Sequence, residues 1–148
     1  MIVHEASGFK KKAKEMKLIT RDTDYAVRAL CHIAGHRLKM VSASELVKEL
    51  KMPRPFLRKI LQCLTNADIL VSYKGKNGGF SLNRKPEQIH LVDLITIFQG
   101  QLTLNECFFK KKLCPNRPSC PLKNKIAAIE DFVVKELSTI SIAELSKS

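Results

Sequence analysis

The feature that most constrains this chain is a proline-marked break between two amphipathic segments, followed at once by a glycine-rich turn. In Lys51-Met52-Pro53-Arg54-Pro55 two prolines cannot continue a helical hydrogen-bond ladder. Pro55 suits the first turn of a new helix, which Phe56, Leu57, Ile60, Leu61 and Leu64 carry to about Asn66. Ahead of the break, Ser42-Ala43-Ser44-Glu45 has capping-box spacing: the hydroxyl accepts from the backbone of Glu45, and Glu45 reaches back. Leu46, Val47 and Leu50 then face inward. An earlier helix is predicted over residues 22–36, with Ala26, Val27, Leu30, Ile33 and Ala34 on one face. After the helix pair, residues 69–74 favour strand, Gly75-Lys76-Asn77-Gly78-Gly79 turns, and Phe80-Ser81-Leu82 resumes the strand. Two helices joined by a short turn and followed by a hairpin make a winged helix-turn-helix.

Charge agrees with that reading. The 148 residues hold 26 Lys and Arg against 14 acids, a net charge of +12. Residues 1–17 contribute +3, residues 18–90 contribute +7 and residues 91–148 contribute +2, so the excess sits on the helix-turn-helix and hairpin. A basic surface of this kind suits a polyanion. No apolar run approaches the roughly 20 residues of a membrane span, and no apolar segment follows the early lysines as in a secretory signal. The expectation is a cytoplasmic protein. Its odd count of five cysteines argues against a closed disulfide framework. Residues 1–15 read as a disordered basic extension, with Met16 a candidate start.

The second half begins with a short helix over residues 91–99, stopped near Gly100. A loop over residues 101–121 follows, and its cysteines are spaced Cys-x6-Cys-x5-Cys at Cys107, Cys114 and Cys120. This is no zinc-ribbon pattern, since neither Cys-x2-Cys nor a histidine partner lies nearby. Thiolates favour soft metals and iron–sulfur clusters, and Lys110, Lys111, Lys112 and Arg117 would offset an anionic group. Incidental cysteines in a loop remain the plain alternative. Leu122, Ile126, Ile129, Val133, Leu137 and Ile140 then form an apolar stripe along about five helical turns. Such a helix packs either on its own domain or on a second copy; the DNA-binding module upstream favours the dimer. Ser141-Ile142-Ala143-Glu144 starts a last short helix. The fold class is mainly α: a winged helix-turn-helix over residues 16–90, a connector helix and Cys loop over 91–121, and a long C-terminal dimerisation helix with the short helix over 122–148.

Taken in order, the residues resemble the Rrf-two family of winged-helix transcriptional regulators over about residues 16–145. The resemblance rests on Thr23-Asp24-Tyr25-Ala26 with Arg28-Ala29-Leu30, on Gly75-Lys76-Asn77-Gly78-Gly79-Phe80, and on Cys107, Cys114 and Cys120 ahead of a long helix. It implies a homodimeric repressor on palindromic double-stranded DNA. Its affinity would answer to an iron–sulfur cluster (2Fe–2S or 4Fe–4S) that senses nitric oxide, oxygen or redox state, or iron–sulfur status. The alternative within the family is a metal-free repressor of the CymR kind that acts through a partner protein. In members like IscR a histidine follows the third cysteine; here Pro121, Leu122 and Lys123 stand there. In members like NsrR the fourth ligand is an aspartate of the first helix, donated by the other subunit, and Asp24 occupies that position. Asp24 read without the family is an acid favoured at a helix N-terminus. The first cysteine gap is longer than is common in the family.

For DNA, Arg54, Arg58 and Lys59 near the start of the second helix of the pair are the candidates for base or phosphate contact. Lys74 and Lys76 would grip backbone beside the hairpin, and Arg28 is either a backbone contact or part of a solvated face. Cys31 and Cys63 are assigned to apolar helix faces as small hydrophobes, and His4, His32, His36 and His90 to surface or core roles rather than ligation. No nucleophile–base set, phosphate loop or paired carboxylate points to an enzyme.

Overall fold

The computed structural model of the chain describes residues 17–36, 38–104 and 119–147. Their elements run α1 (Arg21–Gly35), α2 (Ala43–Leu50), α3 (Arg54–Asn66), β1 (Leu70–Tyr73), β2 (Gly79–Leu82), a 3-10 turn at Pro86–Gln88, α4 (Leu91–Gln99), α5 (Pro121–Thr139) and α6 (Ile142–Leu145). Asp22 and Asp24 in the first turn of α1 complement the helix dipole, while Ala26, Ala29, Leu30, Ile33 and Ala34 bury its other face. At α2 half of the expected exchange forms: Ser42 accepts from the backbone N–H of Glu45 at 3.1 Å. The Glu45 carboxylate turns instead to His32, 3.4 Å away. Lys51 closes α2 in the left-handed region at φ 50, and the Pro53 carbonyl accepts the first N–H groups of α3, from Phe56 and Leu57, at 3.1 Å each. The reciprocal capping box occurs elsewhere, at His90 and Asp93 on α4. Gly100 ends that helix at φ 81, as its position predicts.

β1 and β2 pair antiparallel from Leu70–Leu82 to Tyr73–Gly79. Val41, just before α2, bridges to Phe80 on the far side of β2 through bonds of 3.0 and 2.8 Å, so β2 runs between two neighbours. This explains Gly79, where a Cβ would stand 2.6 Å from the Val41 carbonyl oxygen. Gly78 is required by the turn itself, since a Cβ there would stand 2.2 Å from the Tyr73 carbonyl oxygen.

One core joins α1, α2, α3 and the hairpin through Leu30, Leu46, Leu57, Leu61 and Leu70. Ile142 of α6 lies in the same core, fully buried. The Ile142 N–H donates to the Ile89 carbonyl at 2.9 Å, and the Leu91 N–H donates to Ile140 at 2.9 Å. The short helix, grouped in the sequence reading with the long one, thus belongs physically to the winged-helix body. Removing the Ile142 side chain beyond Cβ empties part of a shared core. Ile142→Ala is expected to cost about 2–5 kcal/mol, read as a lower midpoint in urea denaturation.

A second apolar cluster holds the end of α5 against α4 through Leu91, Ile95 and Leu137, with Val133 and Ile140 beside them. The stripe along α5 therefore divides. Its C-terminal end packs on the body, whereas Leu122 is 65% exposed and Ile129 50%, and Phe132, outside the expected stripe, is 63% exposed. No helix of the described residues is long and apolar enough to cross a membrane.

Candidate nucleic-acid interface and cysteine loop

α3 has two faces with different chemistry. Leu57, Ile60, Leu61 and Leu64 are buried, and Arg54, Arg58, Lys59, Gln62, Cys63 and Asn66 are exposed. Cys63 therefore stands on the polar face, not on the apolar one assigned from sequence; the buried positions at 57, 60, 61 and 64 set a phase that 63 does not share. Cys31 does fit the expectation, since it is partly buried and burial pushes its thiol up from the ordinary value. Beyond α3, Lys74 and Lys76 are exposed at the hairpin turn, where Gly75 takes φ 111. From residue 54 to residue 82 the bases are Arg54, Arg58, Lys59, Lys74 and Lys76, and Asp68 is the one acid. None of the five is ion-paired among the described residues. Asn83 and Arg84 tie the hairpin to the end of α3, donating to the carbonyls of Asp68 at 3.1 Å and Ala67 at 3.3 Å. Helix and hairpin are thus both basic and poor in acids, and two hydrogen bonds tie one to the other.

Arg28 and Asp24 meet each other: Arg28 Nε donates to Asp24 Oδ2 at 3.0 Å, with side chains 61% and 48% exposed. An exposed pair four residues apart on a helix contributes about 0.3–0.5 kcal/mol. Either side chain is therefore released cheaply to another partner.

Of the cysteine loop, Cys107 and Cys114 lie outside the described residues, as do Lys110, Lys111, Lys112 and Arg117. Cys120 is a half-buried free thiol at the N-cap of α5, its carbonyl accepting from the Asn124 N–H at 3.2 Å. A helix N-terminus favours a negatively charged group.

No sequence motif marks Gln99 at the end of α4. Its Oε1 accepts from the Thr20 N–H at 2.9 Å and from the buried Thr23 hydroxyl at 2.7 Å. Its Nε2 donates to the Leu18 carbonyl at 3.1 Å. One amide thus stitches the start of α1, beside Asp24, to the root of the cysteine loop. The partners lie 76 to 81 residues apart, so no local pattern announces them.

The family Rrf2, described as iron-dependent transcriptional regulator, matches residues 19–148. Protein aau3 of Rhizobium meliloti is 30% identical over 131 residues, covering 88% of this chain and 85% of that one. Among solved structures, CymR, the global cysteine regulator of B. subtilis, superposes with a TM-score of 0.71 at 20% identity, covering 89% of this chain and 98% of its own. IscR of T. potens superposes with a TM-score of 0.68 at 22% identity, covering 89% of this chain and 87% of its own.

Proposed function

The chain belongs to the Rrf2 family of transcriptional regulators, and from that premise we propose a homodimeric repressor whose DNA affinity is set by an iron–sulfur cluster. The observation that carries the DNA side is the unpaired cationic surface of α3 and the hairpin. α3 enters the major groove, Arg58 and its neighbours Arg54 and Lys59 reading or bracing there, and Lys74 and Lys76 hold backbone. For the cluster, the support is donor chemistry: Cys107, Cys114 and Cys120 supply thiolates, Cys120 at a helix N-terminus that favours an anionic group. Asp24 of the partner subunit is the fourth donor, at the small cost of its pair with Arg28. A bound cluster supplies reversible redox chemistry and reacts with small oxidants. The protein's own part is mechanical. The Gln99 amide holds the start of α1 at the loop root, so a change of loop conformation bears on α1, which packs on α3.

Arg58→Ala is expected to cost about 1–3 kcal/mol at a cognate site and to relax discrimination there. Lys76→Ala should weaken all sequences alike and flatten the salt slope by about one. Gel-shift titrations at several salt concentrations separate the two.

The test of the regulatory reading is anaerobic purification of the full chain, with iron and acid-labile sulfide measured beside DNA affinity before and after air. Bound iron and sulfide, with affinity that changes on their loss, support it. Absence of both, with unchanged DNA binding, leaves the metal-free repressor that works through a partner protein.

A further inference from the structure

His32 and His36 lie one turn apart near the end of α1, and α2 brings Glu45 to them. One ring nitrogen from each histidine and one Glu45 carboxylate oxygen all lie within 4.8 Å of one another. The imidazoles sit side by side, centroids 4.6 Å apart and planes inclined by 34°. His32 Nε2 is 3.4 Å from Glu45 Oε1, with side chains 20% and 34% exposed. Zinc–nitrogen and zinc–oxygen bonds of about 2.0–2.1 Å place tetrahedral neighbours roughly 3.3 Å apart. The His32–Glu45 separation already matches that edge. His36 is exposed, and its ligand atom lies within 4.8 Å of the other two. Its Nδ1 lies 2.8 Å from the His32 carbonyl oxygen, an acceptor, so in the neutral ring Nδ1–H donates there and Nε2 is the nitrogen left to meet a metal. Metal-binding histidines are commonly oriented by such a bond.

We propose that His32, His36 and Glu45 form a binding site for a divalent transition-metal ion of the zinc class, clasping α1 to α2. Two imidazoles and one carboxylate suit zinc, nickel or copper, whereas calcium and magnesium ask for oxygen donors. Three protein ligands leave a fourth position for water or an anion. The site is separate from the cysteine loop and uses none of its residues. An ion there fixes the packing of the first two helices, the frame against which α3 is set.

The test uses the full chain with Cys107, Cys114 and Cys120 replaced by serine, so that its outcome is independent of any cluster. After demetallation it is titrated with zinc against a chromophoric chelator, and its melting temperature is read with and without the ion. The expected result is one zinc per chain and a higher melting temperature. His36→Gln and Glu45→Gln should each weaken binding by at least ~10-fold, leaving the metal-free melt of the exposed His36→Gln variant unchanged. Cobalt in the same cysteine-replaced chain offers a second reading: ligand-field bands of a bound ion, lost in His36→Gln. Unchanged zinc affinity in both variants, or no saturable zinc binding, overturns the proposal.

Discussion

Ile129→Glu is expected to turn the proposed dimer into a monomer. Ile129 is half exposed on one chain, beside Phe132 and one helical stretch from Leu122, so α5 carries three exposed large apolar side chains. On a seam between two copies each substituted position buries an uncompensated carboxylate, at about 3–5 kcal/mol, and two-fold symmetry applies the cost twice. At 1.4 kcal/mol per tenfold, the dissociation constant rises by ~10,000-fold or more. Sedimentation at micromolar protein reads this directly. The monomer's own fold should persist, because Leu91, Ile95 and Leu137 still hold the base of α5. Binding to a two-fold operator should fall with the dimer, since each head then binds alone. A variant that sediments as an ordinary dimer places the seam elsewhere.

The second large effect concerns iron. Cys114→Ala should abolish iron and sulfide incorporation on anaerobic reconstitution, because the loop has no spare thiolate. Asp24→Ala should give a cluster that assembles poorly or decays faster in air, since a carboxylate is a harder ligand than a thiolate and holds iron less firmly. Cys63→Ala should match wild type, as Cys63 stands exposed on α3. Iron content and visible spectra of the four proteins, run in parallel, check all three statements. Normal iron in Cys114→Ala would end the sensor reading, and an Asp24→Ala protein equal to wild type in content and air stability would mean another fourth ligand.

Much of the frame is legible because its signals are local. α4 spans Leu91–Gln99 as read, since an apolar period and a terminal glycine bound it on both sides. Ser42 caps α2 as its spacing predicts. What escaped depends on contacts across the fold. Gln99 is an ordinary amide until α1 and α4 are packed together. His32 and His36 carry a helical spacing, but Glu45 joins them only once α2 folds back on α1. His90 caps α4 with Asp93, although histidine is not among the usual N-cap residues. Cys63 is a different failure, one of phase, because the buried positions of α3 already point away from it.

The place of α6 bears on how such a protein is made. The chain leaves the winged helix after α4, builds the whole of α5, and only then returns Ile142 to the core it left. A nascent chain on the ribosome therefore holds α1 to α4 with an open seat until α5 has emerged. The reading head is completed last, after the helix proposed to pair it with a second copy. A fragment cut before α5 should expose apolar core surface instead of acting as a free-standing DNA binder, so a minimal head has to be designed by joining α6 back to the body through a shorter link.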